Sequence, residues 1–200
     1  MSIQPADLSA AAQSMVRTLS GVSDGQLSDP TPCSEWTVAD LLLHIQQFTA
    51  VFTANARKRD ADPPSQLSGD WGREMTEQIA ELVAAWQQPD AWEGMTEAGG
   101  IEMPAADNAL VAAEELTVHA WDLAKATGLA YEPSDAQVDV VERFLATFAD
   151  PDRPDEGPFG PIHPAPSDAS RWERALARTG RDPRGGARRS QRRISRSRLM

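Results

Sequence analysis

The sequence predicts an all-α protein built as an up-and-down four-helix bundle with an irregular C-terminal segment. Three observations carry that expectation. Apolar residues recur with the helical period almost throughout. No stretch sustains the alternation of a half-buried strand. Four principal helical segments are joined by short or modest connections, which suits neighbours packed side by side in a bundle.

The elements follow in order. A first helix is expected from about Ala6 to Leu19, with Leu8, Ala12, Met15 and Leu19 on one face and Gly21 and Gly25 marking its end. In "SDPTPCSEWT", Pro30 and Pro32 exclude regular structure. Thr37 is placed to cap a second helix, and Asp40 stands three residues on, the spacing of a capping box. That helix is expected to reach about Arg59, with Leu41, His44, Ile45, Phe48 and Phe52 on one side. "RDADPPSQLSGD" reads as a loop. A third helix covers about Trp71 to Gln87, with Trp71, Met75, Ile79, Leu82 and Trp86 as its inner stripe.

Residues 89–103 read as irregular, with Gly99-Gly100 as a turn. The longest helix is expected from about Pro104, in its first turn, to Thr127, with Gly128 just past its end. A further helix spans about Asp135 to Phe148, carrying Val138, Val141, Leu145 and Phe148. "DPDRPDEGPFGPIHPAPSD" holds too much Pro and Gly for regular structure, and a short helix, about Ala169 to Arg178, follows it. From Gly180 onward the composition turns to Arg, Ser and Gly and reads as disordered. The domain is taken to span residues 1–183 and the arginine-rich tail residues 184–200.

The bulk properties narrow the class. A chain of 200 residues with 40% hydrophobic content suits one globular domain with a sizeable core. No apolar run approaches the roughly 18 residues of a bilayer span. The N-terminus lacks the basic-then-apolar pattern of a secretory signal. A cytoplasmic location is expected, and the single Cys33 fits a reducing compartment. The net charge of −11 is unevenly spread. Residues 171–200 hold 11 Arg against two acids, a net +9, whereas residues 1–170 hold 8 basic residues against 28 acids, a net −20. So acidic a body repels nucleic acid and anionic membranes. The basic tail is the one feature that favours nucleic acid, and a disordered appendage drawn to the chain's own acidic body accounts for it as well.

The chemically informative stretch is "EELTVHAWDLAKATG", residues 114–128. A helix turns about 100° per residue, so Glu115, His119 and Asp122 share one face. Asn108 and the small Ala112 and Ala126 continue the stripe, while Glu114 is displaced to its side. On the second helix, His44 lies among Leu41, Ile45 and Phe48, on the side expected to face the core. Two imidazoles and one carboxylate meeting inside a bundle make the donor set of many catalytic zinc sites, with a fourth position left to water or substrate. Asp122 would then fix a histidine ring. The structural reading stands beside this one: a core histidine hydrogen-bonded to its neighbours, and a Glu-x-x-x-His pair that is solvated.

"TPCSEWTVADLLLHI" (31–45) and "EELTVHAWDLAKATG" (114–128), in that order and at that separation, resemble two signature segments of an actinobacterial metal-binding family. The family lies in the DinB/YfiT-like four-helix-bundle superfamily, and its best-described branch is the N-terminal domain of mycothiol-dependent maleylpyruvate isomerase. "FGPIHPAPSDASRWERALARTGRDP" (159–183) is similar to the end of its short, single-domain members, so the resemblance covers roughly residues 8–183. It implies a divalent metal, usually zinc, held by His44, Glu115 and His119. It also implies a low-molecular-weight thiol, mycothiol, as co-substrate in S-transfer to a small electrophile or in isomerisation. The isomerase carries a second, C-terminal domain for which this length leaves no room, so maleylpyruvate itself is not carried over. A non-catalytic metal-binding stress or sensor protein is the alternative, and a homodimer is an assembly either reading accommodates.

The remaining candidates are weaker. Cys33 reads as a small buried packing residue, since a reactive thiol needs an electropositive setting and Asp29 and Glu35 lie nearby. Trp36 reads as a hydrophobic staple on Leu41. Trp121 faces away from the polar stripe, toward inter-helix core. His163 reads as a solvated loop residue rather than a fourth ligand.

Overall fold

The computed structural model describes residues 8–33, 36–149 and 161–185. Four long helices form the bundle: α1 (Leu8–Leu19), α2 (Val38–Ala56), α3 (Trp71–Trp86) and α4 (Ala105–Thr127). Two more helices, α5 (Asp135–Phe148) and α6 (Arg171–Arg178), pack outside it. Among the described residues the fold is all-α apart from one small hairpin.

Each bundle helix forms where its apolar stripe and caps place it. α1 buries Leu8, Ala12, Met15 and Leu19. α2 begins at a capping box: the Thr37 N–H donates to Asp40 Oδ2 at 2.9 Å, and the Asp40 N–H to Thr37 Oγ1 at 3.3 Å. It ends at Ala56, three residues before Arg59, because Lys58 turns the chain with φ +53° and donates its Nζ to the carbonyls of Ala91 and Glu93. All five expected inner residues of α3 are buried.

Around the bundle the order is α1, α4, α2, α3, so sequential pairs α1/α2 and α3/α4 sit across the diagonals. Connections of 20–37 and 87–104 are long enough to cross the bundle ends, whereas a tight turn joins only adjacent helices.

The second of these connections corrects an expectation. Residues 95–104 are not irregular: β1 (Met95–Ala98) pairs antiparallel with β2 (Ile101–Pro104), Ala98 opposite Ile101. Gly99 and Gly100, at φ +59° and +79°, make the two-residue turn whose twist suits a hairpin. The strands are four residues each, and the apolar Met95 and Ile101 lie on exposed positions, so the sequence does not show the alternation expected of a half-buried strand. Pro104 closes β2 and precedes α4 rather than lying in its first turn, and Gly128 ends α4 at φ +74°.

α4 is buried on nearly all sides. Ala109, Ala113, Leu116, Ala120 and Leu123 face the bundle core. Leu110, Val118 and Trp121 face a second cluster with Val141, Phe144 and Leu145 of α5 and Ala175 and Leu176 of α6. Trp121 is therefore inter-helix core, as its spacing predicts.

The chain beyond α6 departs from the expected disorder at its start. Residues 180–185 form a turn in which Arg181 is buried against α4, and Arg184 pairs with Asp168 at 3.1 Å and Glu173 at 3.0 Å. Their charges have partners in the folded body, which composition alone does not reveal. The remainder of the expected tail, residues 186–200, lies outside the described residues.

Candidate metal centre

α2 and α4 are neighbours in the bundle, and their polar residues meet. His44 Nε2 lies 3.4 Å from Glu115 Oε2, and His119 Nε2 lies 2.9 Å from the same oxygen. The three donor atoms are within 4.8 Å of one another. Tetrahedral bonds of about 2.0–2.1 Å put donors about 3.3 Å apart, so this set can close on a zinc-sized cation with little movement.

The ring of His119 is fixed from behind. Its Nδ1–H donates to Asp122 Oδ2 at 2.9 Å, which leaves Nε2 to face His44 and Glu115. Aromatic rings hold the imidazoles in place: Trp36 and Phe48 stand 4.9 and 5.5 Å from His44, and the two imidazoles meet edge to face at 4.9 Å. Trp36, expected as a staple, also stands against the imidazoles of His44 and His119. Its ring lies near the start of α2 beside His44 and stays partly exposed.

Exposure rises from the back of the site to the front. Asp122 is fully buried, the His119 side chain is 9% exposed, and those of Glu115 and His44 are 27% and 31% exposed. The front opens on a cleft lined among others by Trp36, Phe52, Met103, Val111, Glu114 and Phe148.

The charges of the site act on one another at close range. Burial raises the Glu115 carboxyl, but hydrogen bonds from His119 and His44 overcome it and hold it well below its usual range. Burial likewise opposes ionisation of Asp122, and the charges of Arg181 and His119 outweigh it. His119 is disfavoured as a cation by burial, yet its bonds with Asp122, Cys33 and Glu115 lift its pKa well above 6.5.

Several residues stand apart from their expected roles. Glu114 is not a bystander at the side of the stripe: it is 2% exposed and lines the cleft. Burial, reinforced by Glu115, pushes its carboxyl up to about 8. Cys33 is half-buried rather than packed away; its Sγ–H donates to Asp122 Oδ2 at 3.3 Å, and Arg181 Nη2 is 3.7 Å from the sulfur. A guanidinium from a distant segment supplies the electropositive setting that its sequence neighbours lack. His163 is half-buried and lines the cleft, its backbone N–H donating to Ala177 O. Asn108 bonds Asn55 through its Oδ1 at 3.2 Å, about two turns up α4 from Glu115.

Arg181 was not visible as a site residue, being one of 11 Arg in the last thirty residues. It bears on where a cation would sit. Cys33, His119 and Asp122 form a second cluster of donor types around the same imidazole. Arg181 occupies both oxygens of Asp122, at 3.3 and 2.8 Å, which makes that side a poor cation seat. The His44, Glu115 and His119 side has no such occupant among the described residues.

The sequence matches the family described as the mycothiol maleylpyruvate isomerase N-terminal domain over residues 8–124. Uncharacterized proteins Rv0738 and MT0763 of two Mycobacterium tuberculosis strains are each 31% identical to it over 146 residues, 66% of this chain and 70% of theirs. Among solved structures, a mycothiol-dependent maleylpyruvate isomerase aligns over 68% of this chain and 66% of its own, with 17% identity and a TM-score of 0.48. A mutant form of that enzyme aligns over the same shares, with 16% identity and a TM-score of 0.47.

Proposed function

Because the chain belongs to the mycothiol maleylpyruvate isomerase N-terminal domain family, we propose that it is a metal-dependent thiol transferase or isomerase that uses mycothiol on a small electrophile. His44, Glu115 and His119 would hold one divalent ion, zinc by donor type. The observation that carries this reading is the convergence of those three donors at the floor of an open cleft.

A divalent ion with an open position binds a thiol sulfur and favours the thiolate, the nucleophilic form. The chain's own groups do the rest. Asp122 takes the Nδ1–H bond and keeps Nε2 directed at the donor cluster. Glu115 brings one negative charge, matching a dication better than a third imidazole would. Trp36 and Phe48 shield the imidazoles from water, and the apolar walls at Phe52, Met103, Val111 and Phe148 suit a ligand with a nonpolar body. The thiolate would add to one carbon of an activated double bond, the π electrons moving onto the activating carbonyl; the enolate then takes a proton from water, completing S-transfer, or expels the thiolate after rotation about the former double bond. We place this activity in the cytoplasm, where a reducing pool keeps such a thiol available. No described helix is long and apolar enough to cross a membrane.

The test has two stages. Purified protein is expected to carry close to one zinc per chain, and His119→Ala to lose it while keeping its helical circular dichroism. Mycothiol conjugation to a panel of electrophiles should then turn over only with metal present. A protein that binds zinc but turns over none of a broad panel would point instead to the non-catalytic binding role.

A further inference from the structure

We propose that Arg181 is a positioning residue of this centre: a guanidinium delivered from beyond α6 that holds Asp122 and, through it, the ring of His119. The inference rests on the metal-centre reading above. It adds a residue well outside the span matched by the family, which ends at residue 124.

Asp122 is fully buried and engaged at both oxygens. Oδ2 accepts from His119 Nδ1 at 2.9 Å, Arg181 Nη2 at 2.8 Å and Cys33 Sγ at 3.3 Å, and Oδ1 accepts from Arg181 Nε at 3.3 Å. A buried carboxylate persists only when a counter-charge and hydrogen bonds replace its water. When His119 Nε2 is committed to a cation, the imidazole is neutral. Arg181 is then the only cationic side chain that touches Asp122 among the described residues. Without it Oδ1 loses its guanidinium donor and Oδ2 one of its three, and nothing on that side keeps the carboxylate turned toward Nδ1–H. The ring loses the partner that aims Nε2 at His44 and Glu115.

The fold holds Arg181 in place for this. Ala175 and Leu176 anchor α6 in the second cluster. The Arg181 N–H then donates to Leu176 O at 3.1 Å, and its Nη1 to Thr179 O at 2.8 Å. The side chain is only 12% exposed. Its planar fork reaches both Asp122 oxygens at once, which a lysine ammonium does not reproduce.

The experiment uses the full-length chain and two readouts: the zinc dissociation constant by chelator competition, and the downfield Nδ1–H resonance of His119 in zinc-free protein. Arg181→Met is expected to weaken zinc binding about tenfold and to lose or broaden that resonance. Asp122→Asn should behave similarly, and the double variant should be no weaker than the weaker single one. If Arg181→Met does not fold, as judged by circular dichroism, Arg181→Lys serves, with a smaller loss expected. Affinity within about twofold of the parent with the resonance intact, or losses that multiply in the double variant, would overturn the proposal. If the parent protein binds no zinc, the metal reading fails, and the resonance alone still decides the role of Arg181.

Discussion

In His119 the two ring nitrogens answer to different partners, Nδ1 to Asp122 and Nε2 to Glu115. Without a metal the second contact is made through a proton, because the surrounding acceptors lift the His119 pKa well above 6.5. Zinc must displace that proton, so its binding should weaken as pH falls, by up to about tenfold per unit. Competition titrations at pH 6, 7 and 8 check this; a flat profile would mean that zinc binds elsewhere. Glu114 offers a second pH test. Its carboxyl is raised from an ordinary 4.5 to about 8, so the folded chain holds this proton more tightly than the unfolded chain. Its contribution to stability is complete below 4.5 and is lost as pH climbs toward 8. Glu114→Gln in the metal-free protein should therefore raise the thermal midpoint at pH 8 by on the order of 10 °C and change it little near pH 4.5. Equal shifts at both values would show that Glu114 is not held neutral.

The elements differ in how openly the sequence declares them. α2 starts at a capping box that is readable from Thr37 and Asp40 and present in the fold. Thr37→Ala should cost about 1 kcal/mol, lowering the thermal midpoint by about 2–4 °C in a chain of this size. A calorimetric scan of the variant gives that number directly, and no change would mean the helix start is held by packing alone. α5 begins at Asp135 and ends at Phe148, where spacing places it, because Ser134 caps it and its apolar residues repeat cleanly. The hairpin was hidden for the opposite reason. Met95 and Ile101 are exposed and only Met103 of the strands' large apolar residues is buried, so its pairing owes more to the Gly99-Gly100 turn than to a continuous buried face. The end of α2 was likewise hidden, since it depends on the Lys58 ammonium finding carbonyls more than thirty residues away.

At the scale of the molecule, the donors come from two helices that touch only in the folded bundle. Zinc that binds there must therefore favour the folded state. At a free concentration 100 times its dissociation constant it should add about 2.7 kcal/mol, raising the thermal midpoint by roughly 5–10 °C. A chelator should reverse the gain, and His44→Ala or Glu115→Ala should abolish it. Differential scanning calorimetry checks both. A gain that survives those substitutions would place the ion elsewhere.

Local sequence determined what local physics governs. The helical period, the caps and Gly128 specify α1 to α5 to within a few residues, and i, i+4 and i+7 spacing aligns Glu115, His119 and Asp122 on α4. It also pointed to His44, because an imidazole among Leu41, Ile45 and Phe48 lies on a buried face. Tertiary structure alone decided the order of helices around the bundle, the burial of Glu114, the place of Trp36 beside His44, and the meeting of Cys33 and Arg181 at Asp122. Those contacts join segments up to 148 residues apart. Their energies depend on which charges share a low-dielectric interior, and neither period nor composition records that.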